Sequence, residues 1–401
     1  MKIKIHRGQN QIGGSIVEIA SSSTKIILDV GSELGESDPP AVPQIDGLFC
    51  GEPGYSAVFL SHYHIDHVGL ADKILGGIPV YMGKEAFKIM RASNEYRDVR
   101  TGISPLVMEN RVPITIGDLK ITPFSCDHSA FDSYMLLIEN SGKKILYTGD
   151  FRANGHAKFD ELLKRLPTVD AVIIEGTTLS REYTARNIEE EALEEKGVKA
   201  IGNSSAPCFI YCASTNIDRL ITARNIAKRT DRVFLEDFYT AQMAACSGVD
   251  DIIPKRGKIY AFAVYGGDRE HDILQQFPYA KIRKQNIPKE RFLMTIRSSM
   301  LRYLKGLAEM VSFEGGTLFY SLWSGYWELP KTKELIDFME SQGVNIITLH
   351  TSGHADSQTV DELISRISPG TIVPIHTENA DYFKKFADKI NVICDLNETE
   401  I

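Results

Sequence analysis

A stretch of eleven residues constrains this chain more than any other. Ala57-Val58-Phe59-Leu60 reads as a short apolar strand, and it opens directly into Ser61-His62-Tyr63-His64-Ile65-Asp66-His67. His62 and His64 stand two apart, so both side chains aim the same way as the extended backbone leaves the strand. Asp66 and His67 fall at the start of the following helix and can face a second point nearby. Three imidazoles and a carboxylate so close together suit a borderline divalent ion such as zinc. A packing role does not account for them, because the segment has no apolar face to satisfy. The fold must therefore deliver further ligands to this strand end.

The sequence offers three. His128 follows Ile121-Thr122-Pro123-Phe124, Asp150 ends Ile145-Leu146-Tyr147-Thr148-Gly149, and His376 ends Thr371-Ile372-Val373-Pro374-Ile375. Each stands where a strand gives way to a loop, so one sheet edge can gather them all. Together with the first group they complete two metal sites. Of the ten histidines, His6, His156, His271 and His350 have no such context and read as structural.

With 43% hydrophobic and 24% charged residues, the 401-residue chain is neither disordered nor low in complexity. Its net charge of −8 excludes polyanion binding by the whole surface. The charge is unevenly spread: residues 215–310 carry a balance of +6 and the remainder −14. Lys281, Arg283, Lys284, Lys289, Arg291, Arg297, Arg302 and Lys305 form the densest basic part. The six cysteines include no CxxC pair and no disulfide framework, and Cys208 and Cys212 read as small core residues. No signal-peptide core and no membrane-length apolar run is present, so a cytoplasmic protein without a membrane partner is expected.

The first 180 residues read as short strands with close hairpins, including one strand over 112–124, and helices over 66–75, 83–97 and 156–166. Residues 187–196 read as an exposed acidic helix. From 200 to 345 strand and helix alternate, with Asn216 as an N-cap. The tail returns to strand-loop-helix units, with helices over 356–367 and 379–389. The middle is thus an insertion: residues 1–199 and 346–401 form one domain and 200–345 another. Phe319 to Trp327 is rich in aromatics and reads as a core strand end, although its rings are of the kind that stack on bases. Gly13-Gly14 reads equally as a hairpin turn or as a border of the metal cleft.

His-x-His-x-Asp-His, the later His128, Asp150 in Thr-Gly-Asp and the final His376 resemble the metallo-β-lactamase fold, and Leu28-Asp29-Val30-Gly31 resembles its first motif. The resemblance implies an α/β, αββα sandwich in which His62, His64 and His128 bind one zinc and Asp66, His67 and His376 the other. Asp150 would bridge the two ions, and Asp29 would buttress the metal loop from behind. A bridging water, activated as hydroxide, would attack an electrophilic centre.

The insertion narrows the likeness to the β-CASP nucleases. Glu175 in Ile-Ile-Glu-Gly-Thr-Thr resembles motif A, with Gly-Thr-Thr where many members have Ser-Thr. His354 in Thr-Ser-Gly-His-Ala-Asp resembles motif B and His376 motif C, where a histidine accompanies RNA-directed members. His128-Ser129-Ala130-Phe131-Asp132-Ser133 and Gly149-Asp150-Phe151-Arg152 are similar to ribonuclease J-like enzymes, and Ser352-Gly353-His354-Ala355 to their phosphate-binding loop. Asp66, Asp150, Glu175 and His354 are the implied catalytic residues. Ser129, Ser352, Gly353, His354 and Ala355 are the implied substrate contacts, with the 352–354 amides seating a phosphate at a helix start.

The expected activity is a two-zinc phosphodiesterase acting on single-stranded RNA, with endonucleolytic and 5′-exonucleolytic modes both open and manganese a substitute metal. The alternatives are a small-molecule hydrolase of an ester, lactone or thioester, and a single-stranded DNA nuclease. Many bacterial members carry a further C-terminal domain, whereas this chain stops 25 residues after His376, so a short form is expected. A homodimer is the assembly left open by the resemblance.

Overall fold

The computed structural model describes residues 1–35, 40–180, 186–264, 277–395 and 397–401, so His271 lies outside the described residues. The chain divides into two compact units, Met1–Asn187 with Gly353–Ile401, and Ile188–Ser352.

Among the described residues, the first unit holds two sheets of seven strands. One runs Glu398–Glu400, Lys2–Arg7, Ile16–Ala20, Lys25–Leu28, Ala57–Phe59, Val80–Gly83, Leu106–Met108. The other runs Asn391–Val392, Thr371–Pro374, Ala171–Ile174, Lys143–Tyr147, Ser133–Asn140, Leu119–Cys126, Ile114–Ile116. Alternation by two decides which side chains meet. Ile3, Ile5, Val17, Ile19, Ile26, Leu28 and Phe59 share one core with Ile121, Leu136, Ile138, Ile145, Tyr147, Ile173 and Val373. The intervening residues Met135, Leu137, Leu146, Val172, Ile174 and Ile372 face the other way. There they pack with Phe159 and Leu162, and with Val360, Leu363, Ile364 and Ile367 of helix Ser357–Ile367. Each such fully buried side chain contributes roughly 2 kcal/mol through removal from water. The unit is the expected layered α/β sandwich.

Local order differs from the sequence reading in four places. The helix expected over 66–75 is one turn, Ile65–Val68, followed after Gly69 by a tighter turn at Ala71–Lys73. The strand expected over 112–124 is a hairpin of Ile114–Ile116 and Leu119–Cys126, broken where Gly117 takes φ 57°. The helices expected over 156–166 and 379–389 contract to Phe159–Leu163 and to tight turns over Ala380–Phe386.

The second unit has a six-stranded parallel sheet among its described residues. Its order is Ile259–Phe262, Val233–Asp237, Phe292–Ile296, Cys208–Tyr211, Thr317–Tyr320, Asn345–Thr348. Helix Ile217–Arg229 begins where Asn216 accepts from the Arg219 amide. The acidic segment is a solvated helix as expected at Glu191, Glu195 and Lys196 but not at Glu190. It forms Glu190–Ile201, and Glu190 is fully buried against Arg219 (Oε1 to Nη2, 2.9 Å; Oε2 to Nε, 3.1 Å), with Thr222 donating to Oε2 at 2.7 Å. That bidentate pair makes the helix part of the second unit, so the division falls after residue 187 and not after 199. Pairing of Asn345–Thr348 with Thr317–Tyr320 likewise carries the other division to 352. Cys208 and Cys212 are buried, and no described helix is long and apolar enough to cross a membrane.

Candidate metal centre

Strand direction positions this site. In the second sheet Leu119–Cys126 and Lys143–Tyr147 each run antiparallel to Ser133–Asn140, and Ala171–Ile174 and Thr371–Pro374 run parallel to Lys143–Tyr147. Their carboxyl ends therefore share one edge, and from it leave His128, Asp150, Glu175 and His376. The first sheet adds His62, His64, Asp66 and His67 after Ala57–Phe59. The loop carrying them is stitched to residues 30–32 by bonds from the Val30 amide to the His67 carbonyl (2.8 Å) and from the Ser32 amide to the Ile65 carbonyl (3.1 Å). Only glycine fits at 31, because a Cβ there would lie 1.7 Å from the Asp66 carbonyl oxygen.

The ligand atoms converge on one carboxylate oxygen. Asp150 Oδ2 lies 3.3 Å from His67 Nε2, 3.7 Å from His62 Nε2, and 3.8 Å from both His128 Nε2 and His376 Nε2. His64 Nδ1 is 3.1 Å from His128 Nε2, and Asp66 Oδ2 is 3.0 Å from His376 Nε2. Among the described residues three groups could hold an ion: His62, His64, His128 and Asp150; Asp66, His67 and His376; and Asp150 with Glu175 and His354. Both Asp150 oxygens and the Nε2 atoms of His62 and His67 are buried without an aligned hydrogen-bond partner. Buried polar groups are rarely left so, and a set of imidazoles and carboxylates orphaned around a shared point fits divalent metal ions.

The far ring nitrogens are held from behind, which aims the near ones at the centre. His67 Nδ1 donates to Asp29 Oδ2 at 2.7 Å. Ser61 Oγ also donates to Asp29 Oδ2, at 2.7 Å, and so accepts from His62 Nδ1 at 3.0 Å. His128 Nδ1 donates to the Gly353 carbonyl at 2.6 Å. Thr177 Oγ1 donates to Glu175 Oε2 at 2.7 Å and accepts from His376 Nδ1 at 2.8 Å. His376 itself adopts φ 53° and Asp29 φ 58°, left-handed conformations uncommon outside glycine.

Electrostatics follow. Burial depresses His62 and His128 well below the usual histidine range and pushes His64 down to about 4, leaving the neutral imidazoles that ligation requires. Burial also opposes charge on Asp150 and Asp66, but nearby histidines outweigh it and hold both carboxylates ionised. His67 is raised despite burial, by Asp150 and Asp29.

Beside this set stand Glu175 and His354. His354 Nδ1 lies 3.2 Å from Glu175 Oε2 and 3.6 Å from Asp150 Oδ2. Burial works against its charge, yet Glu175 and Asp150 raise it to about 9. Glu175 also accepts from the Phe151 amide at 2.9 Å, so it fixes the Asp150 loop as well. In the 352–355 loop, a Cβ at Gly353 would meet Ser129 Oγ at 2.5 Å, and the Ala355 carbonyl accepts from Thr178 at 2.5 Å. Ser352 is the last residue of the other unit. The start of helix Ser357–Ile367 is capped by Asp356, which takes the Thr359 amide at 2.8 Å and the Asn187 amide at 2.7 Å. The Thr359 amide at the helix start is thus already bonded. Gly13 borders the centre, since its Cβ would lie 3.0 Å from that of Asp66.

Sequence reasoning missed Ser61, Tyr147 and Thr177. It also missed the fully buried Arg152, whose Nε donates to Asp127 at 2.9 Å beside His128. Their only sequence signal is adjacency to ligands: each polar residue is within two positions of His62, His128, Asp150 or Glu175, except Tyr147.

Residues 26–201 match the family described as beta-lactamase superfamily domain, and residues 344–394 the family described as Zn-dependent metallo-hydrolase RNA specificity domain. Ribonuclease J 1 of Streptococcus pyogenes is 23% identical over 413 residues, covering 92% of this chain and 67% of that protein. Ribonuclease J 2 of Staphylococcus saprophyticus is 21% identical with 92% and 68% coverage, and Ribonuclease J of Sinorhizobium meliloti 21% identical with 88% and 64%. The chain thus spans about two thirds of the length of these relatives. A solved protein of unknown function from Enterococcus faecalis shares the fold, with a TM-score of 0.83 at 19% identity over 100% of this chain and 99% of that one. The chain thus carries a beta-lactamase superfamily domain over residues 26–201 and resembles the ribonucleases J over most of its length, and with the ligand geometry these likenesses support a metal-dependent hydrolase.

Proposed function

We propose that the chain hydrolyses phosphodiester bonds of single-stranded RNA using two zinc ions. His62, His64 and His128 would hold one ion, Asp66, His67 and His376 the other, and Asp150 both. The unit Ile188–Ser352 is read as the inserted β-CASP domain. The convergence of four imidazole nitrogens within 3.8 Å of one buried Asp150 oxygen carries this reading. When bound, such ions polarise a phosphoryl oxygen and make water a strong nucleophile near neutral pH.

The chain's own residues supply the rest. A phosphodiester transition state gathers charge on its non-bridging oxygens and on the leaving oxygen. His354, charged at neutral pH with its Nδ1 directed at Glu175, presents its other nitrogen as the proton donor for that leaving oxygen. Glu175 holds the imidazole and the Asp150 loop in one geometry. Ser129 and the Ser352 to Ala355 segment are read as phosphate contacts. In the second unit Lys281, Arg283, Lys289, Arg302 and Lys305 are exposed and favour association with a polyanion. Lys284, Arg291 and Arg297 instead serve the fold: Lys284 covers the Tyr303 ring, Arg291 donates to Ser204 and Arg297 binds Asp237. No disulfide joins the six cysteines among the described residues, which accords with a reducing, cytoplasmic setting.

The test uses internally labelled RNA and DNA single strands of one sequence, each with a 5′-monophosphate or a 5′-hydroxyl. The reading expects RNA to be degraded by the intact protein and not by the Asp66→Ala/His67→Ala variant. Mononucleotides against discrete fragments separate the exonucleolytic from the endonucleolytic mode. Survival of every strand alongside hydrolysis of a thioester or lactone overturns it in favour of a small-molecule hydrolase.

A further inference from the structure

The aromatic segment read from the sequence as a core strand end divides in the structure. Phe319 and Tyr320 are buried, but Trp323 is 51% exposed, Tyr326 46% and Leu329 50%. The cause is a tight turn at Ser324–Tyr326 that carries the chain out of strand Thr317–Tyr320. Three large apolar side chains within seven residues thus face solvent, whereas scattered single ones would need no explanation.

The exposed indole is held in place. A Cβ at Gly325 would lie 2.3 Å from the Trp323 ring, so the ring rests directly on the backbone at 325 and a side chain there would push it away. Tyr326 meets it edge-on with centroids 5.5 Å apart, and Trp327 anchors the turn by packing on Tyr320 at 4.7 Å. Beside this turn Tyr211, Ser298, Leu322, Tyr326, Leu329 and Thr332 line a groove of about 530 Å³. The groove lies at the carboxyl end of strand Cys208–Tyr211, between Phe292–Ile296 and Thr317–Tyr320. There the chain's connections depart in opposite directions, to Val233–Asp237 on one side and to Thr317–Tyr320 on the other. Parallel α/β sheets hold ligands at such points.

Charge selects the occupant. Lys331 also lines the groove, and Arg302 follows Ser298 on helix Leu301–Ala308. Both are exposed and make no ion pair among the described residues. Flat aromatic faces over an apolar floor, with a cation at the rim, suit a planar base attached to a phosphate.

We propose that the turn at 323–326 and the groove beside it form a base-stacking subsite for single-stranded RNA, with the exposed Trp323 as its platform, Tyr326 shared by turn and groove, and Lys331 meeting the adjoining phosphate. The proposal rests on the RNA reading given above. Gly325 is a positioning residue, since a side chain there displaces the indole.

Trp323 and Trp327 are the chain's two tryptophans, so the Trp327→Phe variant makes Trp323 the sole tryptophan, read by selective tryptophan excitation. It is titrated with a cleavage-resistant 2′-O-methyl oligouridine and with an abasic strand of equal charge. The expected result is saturable quenching by the base-bearing strand and none by the abasic one. In cleavage assays Trp323→Ala and Gly325→Ala should raise KM for RNA about tenfold with kcat unchanged, and Trp323→Phe should restore it. Equal quenching by the abasic strand, or an unchanged KM in Trp323→Ala while the wild-type protein cleaves RNA, overturns the subsite and leaves the RNA reading intact. If the wild-type protein neither binds nor cleaves any strand, the RNA reading falls and the subsite with it.

Discussion

Asp29 and His67 are joined by a 2.7 Å hydrogen bond, and the same fully buried Asp29 oxygen also accepts from Tyr147 at 2.6 Å and Ser61 at 2.7 Å. One carboxylate outside the candidate ligand groups thereby fixes His67 directly and His62 through Ser61. Asp29→Asn keeps the left-handed backbone, which asparagine tolerates, but the Ser61 amide donates to the other oxygen at 2.7 Å, and an asparagine NH2 at either position meets a donor instead of accepting from it. Metal affinity should fall roughly 10- to 100-fold with the fold retained. Chelator competition checks this, with circular dichroism as the control; unchanged affinity would count against the buttressing role.

Thr177 links Glu175 to His376 through a single hydroxyl. Thr177→Val preserves shape and severs both bonds, so metal retention at the Asp66, His67 and His376 group should drop by about tenfold or more. Thr177→Ser should recover most of it. Equal metal content in all three proteins contradicts the assignment.

The buried pair Arg219 and Glu190 ties helix Glu190–Ile201 to helix Ile217–Arg229. Arg219→Met leaves an uncompensated buried carboxylate and should cost about 3–5 kcal/mol in urea denaturation. Adding Glu190→Leu should return much of that loss. A single variant within about 1 kcal/mol of wild type would contradict this burial cost.

Glu236 is fully buried with both oxygens unpartnered. Burial first, and Asp237 second, raise its pKa well above the usual 4.5, against a smaller opposing effect of Arg224. The folded state therefore binds this proton more tightly than the unfolded chain. The stability it confers is complete below about pH 4.5 and is lost as pH rises toward the folded value. Glu236→Gln should thus gain stability over wild type progressively as pH rises above 4.5. Urea midpoints at increasing pH check it, and a pH-independent gap would refute it.

What the sequence disclosed and what it hid have physical causes. The His62 to His67 cluster was legible because its ligands are contiguous and follow an unmistakable strand. His128, Asp150 and His376 were legible because strand ends place side chains at a shared edge. Ser61, Tyr147 and Thr177 were not, since their roles depend on hydrogen bonds between segments up to 199 residues apart. Within the acidic run at 187–196 only Glu190 misled, because a charge run signals a solvated face, while its buried partner Arg219 stands 29 residues beyond it. Trp323 misled in the opposite sense: aromatics predict burial, and the turn over Ser324–Tyr326 defeats that.

The most direct test strips the protein with a chelator and restores zinc or manganese stepwise, following cleavage of a labelled single-stranded RNA. The account predicts no cleavage by the stripped protein, recovery that is complete only with the second metal equivalent, and none at any metal level in Asp66→Ala/His67→Ala. RNA cleavage by the stripped protein, or undiminished cleavage by that variant, would contradict it.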